Sequence, residues 1–340
     1  MPLSFRYLIR ADGSKEIGLG HIYRTLALAD CLGREHVIYL TNNNEIIESL
    51  LSGVNHVVLR DSYNIKLTLA TMEEMVEKYD VKVIISDLLH YDDCYFDFVR
   101  RIGSKIVTFH EHTSHDRFSD MVINYNTFPG AFDLMRNAGR NCLGPKYAIF
   151  PKSLQEINRI TIKEKVKKIF ISFGGSDPGG LTKIVIKAIE CTDYVAKNVD
   201  EILVHLGPSN SDIKEIESLV SKSKNNYKIY NRLPNIHSLM SEADLALAAG
   251  GNTMYELCCL GVPTIIIPQN EHQKIFAREL AMIGAVSLPC GEGELNRNMI
   301  SAELLHIADN KSLRKKMHDI SINVFDTNGT LRIVEQLKLL

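Results

Sequence analysis

The chain has 340 residues with 39 basic and 41 acidic side chains, a net charge of −2, and at about 150 residues per domain its length predicts two domains. The near-balanced charge gives no general attraction for nucleic acid or an anionic membrane, and 45% hydrophobic against 24% charged residues is the balance of a folded chain, not a disordered one. No apolar run approaches the ~20 residues that span a bilayer, no signal peptide precedes the first strand-like run, and the seven scattered cysteines form no C-x-x-C pair, as expected of a reduced, cytoplasmic protein.

In chain order, strand-like runs at Tyr7–Arg10, Val37–Leu40, His56–Leu59, Val83–Ser86, Ile106–Phe109 and Met121–Asn124 alternate with helix-like stretches at His21–Cys31, Glu45–Leu51, Leu67–Lys78 and Tyr95–Ile102. The pattern breaks at Asn141–Lys165, where Gly144, Pro145 and Pro151 precede a lysine-rich stretch, as at a domain boundary. A second series of strands follows at Ile169–Phe173, Glu201–Leu206, Lys228–Tyr230, Leu245–Ala248, Thr264–Ile267 and Ala285–Leu288. Helices are expected at Leu181–Cys191, Asp212–Lys222, Ile236–Ser241, Thr253–Leu260 and His272–Met282, with Ala302–Val324 and Thr330–Leu339 as terminal helices. Such alternation predicts two doubly wound α/β domains. They cover 1–143 and 166–340, joined by a linker at 144–165, and ligands are expected beyond the carboxyl ends of their strands, in a cleft between the two domains.

Three glycine-bearing loops follow strands and precede helices. The first runs from Arg10 and Asp12 through Gly18 and Gly20 to His21 and Arg24. A helix start favours anions and disfavours protonation of His21, leaving a neutral imidazole able to take a proton. Arg24, one turn on, would hold a charged group or point to solvent. The bland alternative is a tight turn with His21 at a helix start, and no dinucleotide fingerprint is present. The second loop, Phe173–Thr182, carries Gly174, Gly175 and Ser176, whose backbone N–H groups suit phosphate oxygens, but no Walker A sequence follows. The third holds Gly250, Gly251, Asn252, Thr253 and Glu256. Thr253 and Glu256 fit a capping box, while the functional reading gives Glu256 to the two hydroxyls of a ribose. Beyond the strand Thr264–Ile267, Asn270, Glu271 and Gln273 are placed to contact a sugar or phosphate, or simply start a helix.

His110, Glu111 and His112, with His115 and Asp116 nearby, raise the question of zinc, but the H-E-x-x-H helical spacing is absent and no metal is expected. Asp87, Asp92 and Asp93 are taken as solvated loop carboxylates. Cys258 and Cys259 sit in an apolar helical stretch and suit packing better than catalysis.

Together the segments Arg10–Ser14, Ile17–Ala29, Gly144–Phe150, Ser172–Pro178, Ala249–Pro263 and Asn270–Gln273 resemble, in order, the nucleotide-sugar hydrolases of pseudaminic acid biosynthesis. Their activity is that of a UDP-2,4-diacetamido-2,4,6-trideoxy-β-L-altropyranose hydrolase, and spore-coat polysaccharide proteins share the same motifs. The resemblance implies a GT-B architecture like that of the UDP-GlcNAc transferase of peptidoglycan synthesis. It gives UDP to the C-terminal domain, with Glu256 on the ribose and the Gly174–Ser176 and Gly250–Thr253 loops near the diphosphate. It gives the sugar to the N-terminal domain, with His21 as the base that activates water. Where that family carries an acidic pair after the fifth N-terminal strand, this chain has His110-Glu111-His112. The expected reaction needs no cofactor and involves neither nucleic acid nor membrane. The alternatives are a GT-B glycosyltransferase using a UDP-sugar donor and a nucleotide-sugar binding protein without turnover.

Overall fold

The inner strands are short runs rich in Val, Ile and Leu, buried along almost their whole length, as parallel strands covered on both faces require. The computed structural model describes residues 5–14, 18–61, 64–88, 93–109, 118–126, 139–231, 233, 235–289 and 296–340. Its strands form two sheets. The first contains β1 (Tyr7–Ala11), β2 (Val37–Asn42), β3 (Asn55–Leu59), β4 (Val83–Asp87), β5 (Lys105–Phe109), β6 (Met121–Asn124) and β7 (Arg140–Leu143). Their order is β3-β2-β1-β4-β5-β6-β7, with every neighbouring pair parallel. The second contains β8 (Lys168–Ser172), β9 (Glu201–Leu206), β10 (Tyr227–Asn231), β11 (Leu245–Ala248) and β12 (Thr264–Ile266) in the order β10-β9-β8-β11-β12, again all parallel. The two doubly wound α/β units anticipated from the alternation are both present.

Each sheet has its own core. Leu8, Ile38, Leu40, Ile84 and Ile106 pack with Met72, Phe96 and Val99 in the first. Ile169, Ile171, Val204 and Leu247 pack with Val185, Ile189 and Leu304 in the second. Strand order reverses between β1 and β4 in one sheet and between β8 and β11 in the other. Loops leaving the carboxyl ends at such a point turn to opposite faces and open a crevice.

Four boundaries differ from expectation. Unit 1 comprises Met1–Lys152 and Thr327–Leu340, and unit 2 comprises Ser153–Asp326. The last helix, Gly329–Leu337, therefore belongs with the first unit, not with a C-terminal domain running to residue 340. Its Ile333, Val334 and Leu337 are buried, about 1.5–3 kcal/mol each. A Cβ on Gly329 would meet Ala148 O at 2.0 Å, so only glycine lets the two backbones approach there. Strand β7 escaped notice because Arg140 and Asn141 are exposed and interrupt the apolar run. The stretch Ala302–Val324 is split between helices Arg297–Ala308 and Lys311–Val324, the second capped by Asn310. The strand expected at Ala285–Leu288 is reduced to a single bridge from Ser287 to Ile265.

The return of the chain to unit 1 is secured by Thr330, whose Oγ1 donates to Phe150 O and accepts from Phe150 N, both at 3.1 Å. Thr330→Val keeps the volume and removes both bonds. It is expected to lower the unfolding free energy of unit 1 by about 1–2 kcal/mol, read as faster hydrogen exchange in β1 and helix Gly20–Leu32 with unit 2 unchanged.

Candidate active site

In unit 1 the helix Gly20–Leu32 starts without a side-chain cap and with no acidic residue in its first turn. Its second residue is His21, and its fifth is Arg24. Both turn onto Asp87, the last residue of β4, which lies in register with Ala11 of β1 at the reversal of strand order. His21 Nδ1 is 2.7 Å from Asp87 Oδ1. Arg24 Nε donates to Oδ2 at 2.5 Å, and its Nη2 donates to Oδ1. The same Nη2 lies 3.1 Å from His21 Nδ1; both nitrogens act as donors, and Asp87 is their shared acceptor. With Nδ1 carrying the hydrogen, the lone pair of His21 is on Nε2.

The Asp87 side chain is 0% exposed. Burial pushes its carboxyl up, yet Arg24 and then His21 outweigh burial and hold it below the usual carboxylate range. The expectation of a solvated loop carboxylate is therefore corrected: Asp87 is the enclosed anchor of the site. The signal was its place, one residue beyond an apolar strand at a switch point. Arg24 neither faces solvent nor presents a free charge. Its guanidinium also donates to Tyr125 Oη at 3.0 Å and lies 4.7 Å from the Phe109 ring centroid.

Arg10 and Asp12 pair with each other, Nη2 donating to Oδ2 at 2.6 Å. Asp12 Oδ1 accepts from Asn42 N at 2.8 Å, and Asn42 Nδ2 donates to Gly13 O at 2.8 Å. The pair thus latches the turn after β1 to the end of β2. Gly18 bridges back to Ser14, and Gly20 opens the helix.

In unit 2 the loop after β8 carries Gly174, Gly175 and Ser176. It rests on Gly207, where a Cβ would come within 2.2 Å of Gly174 O, and Ser209 N donates to Gly175 O at 2.9 Å. The following helix, Leu181–Glu190, already has an anion at its start: Asp177 accepts from Leu181 N at 2.8 Å and Thr182 N at 2.9 Å. The helix after β11, Asn252–Leu260, differs. Its N-cap is Gly251, with no side-chain cap and no acid in the first turn. A helix start of that kind favours an anion. Thr253 is inside the helix, so the capping-box reading of Thr253 and Glu256 does not hold.

Glu256 lies one turn in, its side chain 17% exposed, with Oε1 3.4 Å from His237 Nε2. Its charge also reaches His205: burial drives that imidazole down to about 4, against the opposing pull of Glu256. Gly250 N and Gln269 N both donate to Gln273 Oε1, at 3.1 and 3.0 Å. Gln269, which sequence reasoning missed, donates from Nε2 to Phe173 O at 2.8 Å, so the two glutamines tie the loops after β8, β11 and β12 together. Asn270 caps the helix Glu271–Ile283 by accepting from Gln273 N. Glu271 is 81% exposed and pairs with Lys274. Both lie at the helix start.

Cys258 and Cys259 are buried, and burial pushes both thiols up to about 12, which suits packing. His110, Glu111, His112, His115, Asp116 and Asp92 lie outside the described residues. Among the described residues no helix is long and apolar enough to cross a membrane.

The chain has a GT-B fold: MurG of Acinetobacter baumannii superposes on it with a TM-score of 0.71 at 15% identity, covering 98% of this chain and all of that one. Residues 169–336 match the glycosyltransferase family 28 C-terminal domain. The chain is similar to the spore coat polysaccharide biosynthesis protein SpsG of Bacillus subtilis, 28% identical over 341 residues and 97% of each protein. It is 23% identical to the UDP-2,4-diacetamido-2,4,6-trideoxy-beta-L-altropyranose hydrolase of Campylobacter jejuni over 82% of this chain and 97% of that enzyme. An uncharacterized protein of Methanocaldococcus jannaschii is 30% identical over 78% of this chain, which spans 56% of that relative's length.

Removing the Asp87 charge leaves Arg24 buried without its counter-ion. Asp87→Asn is expected to cost about 3–5 kcal/mol, measured by denaturant unfolding. Because the folded-state carboxyl is held below 3.8, this contribution is present above that pH and is lost as pH falls through the folded value. The gap between wild type and variant should therefore close in acid.

Proposed function

We propose that the protein is a UDP-sugar hydrolase: it releases UDP from a UDP-2,4-diacetamido-2,4,6-trideoxyhexose by attack of water at the anomeric carbon. The observation that carries this reading is the Asp87–His21 pair. Asp87 fixes the Nδ1–H tautomer, so Nε2 is the proton acceptor in an otherwise closed cluster. A water oxygen bonds to the anomeric carbon, its proton passes to His21 Nε2, and the bond from carbon to the phosphate oxygen breaks with both electrons leaving on UDP. Unit 2 takes the nucleotide. Glu256 accepts from the ribose hydroxyls, and the uncapped start of Asn252–Leu260 takes diphosphate charge. The name of the Campylobacter enzyme supports the hydrolysis and that of SpsG a place in polysaccharide synthesis; a cytoplasmic role in nonulosonic (pseudaminic) acid synthesis, with flagellin glycosylation as one destination, is part of the same proposal.

A second reading, transfer of the sugar to an acceptor hydroxyl or amine, is favoured by the family 28 match and the MurG-like fold. In that case His21 deprotonates the acceptor. Arg24, with its charge spent on Asp87, is assigned to holding the dyad and not to gripping substrate.

His21→Asn is expected to lower kcat by about 10²–10⁴-fold while UDP affinity, followed by calorimetry, stays within about twofold of wild type. Turnover should proceed with no acceptor added. Near-normal turnover in His21→Asn would remove the base from the scheme, and dependence on an acceptor would establish transfer instead.

A further inference from the structure

The carboxylate assigned to the ribose does not stand alone. His237 is the second residue of the helix Ile236–Ser241 and is 6% exposed. Its Nδ1 lies 3.0 Å from Ser153 Oγ. Its Nε2 is enclosed and has no hydrogen-bond partner among the described residues, although Glu256 Oε1 is 3.4 Å away. A buried polar nitrogen left unbonded is destabilising, so a simple packing role would favour an apolar residue here. If the Ser153 hydroxyl donates to Nδ1, the hydrogen of the ring sits on Nε2 and faces the carboxylate. The second imidazole near Glu256, His205, is instead engaged with Ser172 Oγ at 3.1 Å through Nδ1.

Resting on the ribose reading of Glu256, we infer that His237 is a positioning residue for nucleotide recognition. Its Nε2–H closes onto Glu256 Oε1 when the nucleotide binds and fixes the rotation of the carboxylate so that both oxygens meet the ribose diol. A carboxylate free to rotate accepts from one hydroxyl as readily as from two. One held from behind by an N–H presents two acceptors in a plane, and it discriminates a ribonucleotide from a deoxyribonucleotide. Ser153 orients the ring in turn, through the hydroxyl that sets its tautomer.

The test compares the affinity of the full-length protein for UDP and for 2′-deoxy-UDP by calorimetry. Wild type should prefer UDP. His237→Asn lacks a donor at the Nε2 position and should lose about tenfold in UDP affinity with 2′-deoxy-UDP binding unchanged. His237→Gln, which can place an N–H near the Nε2 position, should restore most of the preference. That rescue is a result packing alone would not give. If the preference survives in His237→Asn but collapses in Glu256→Gln, the positioning role is overturned and the ribose reading stands. If it survives in Glu256→Gln, the ribose reading itself fails. Should His237→Asn not fold, Ser153→Ala reads the same ratio, which should fall by about twofold to fivefold; an unchanged ratio overturns the inference.

Discussion

An ionised carboxylate enclosed at the end of β4 is tenable only because Arg24 and His21 meet it from one turn of a single helix. Desolvation alone pushes Asp87 toward its neutral form; the guanidinium and the imidazole together outweigh it. This constrains much of unit 1. The helix Gly20–Leu32 must begin where its first two turns reach β4, which the Arg10–Asp12–Asn42 latch and the Ser14–Gly18 bridge arrange. Phe109 and Tyr125, at and just past the ends of β5 and β6, close around the outer side of Arg24. The carboxyl ends of neighbouring strands are thus committed to holding one imidazole in one tautomer.

Unit 2 distributes charge differently. Two helices start near its switch point, and each could receive an anion. Asp177 occupies one start with its own carboxylate, in a left-handed backbone conformation with φ of 47°. The other, after β11, has neither an acid nor a side-chain cap. One start is thus taken by a protein carboxylate, and the other has the kind of start that favours an anion. The glutamine pair Gln269 and Gln273 holds the second loop by its backbone, leaving no room for a side chain at Gly250, where a Cβ would lie 2.9 Å from Gln273 O.

Much of this was legible in the chain because parallel strands buried on both faces write themselves as apolar runs; β1, β4, β8 and β11 were all found that way. His21 and Glu256 were visible as chemistry next to glycine. What could not be read was reach. Asp87 is 66 residues from His21, and nothing local marks it as enclosed. Arg24 reads in sequence as holding a charged group or pointing to solvent, because sequence shows a charge but not the carboxylate that consumes it. Asn270 illustrates the converse: a residue suited to sugar contact is also the best kind of helix cap, and here its side chain caps the helix Glu271–Ile283. The terminal helix is expected in the second unit yet belongs to the first, because its amphipathic pattern states that a face must be buried, not against which sheet.

In the proposed reaction His21 directs water to the anomeric carbon and not to phosphorus, and the fate of solvent oxygen decides between the two. Turnover of the UDP-sugar in H₂¹⁸O, analysed by mass spectrometry of both products, should place one label on the free sugar and none on UDP. Label in the UDP phosphate would mean that water attacks phosphorus, and would contradict the account.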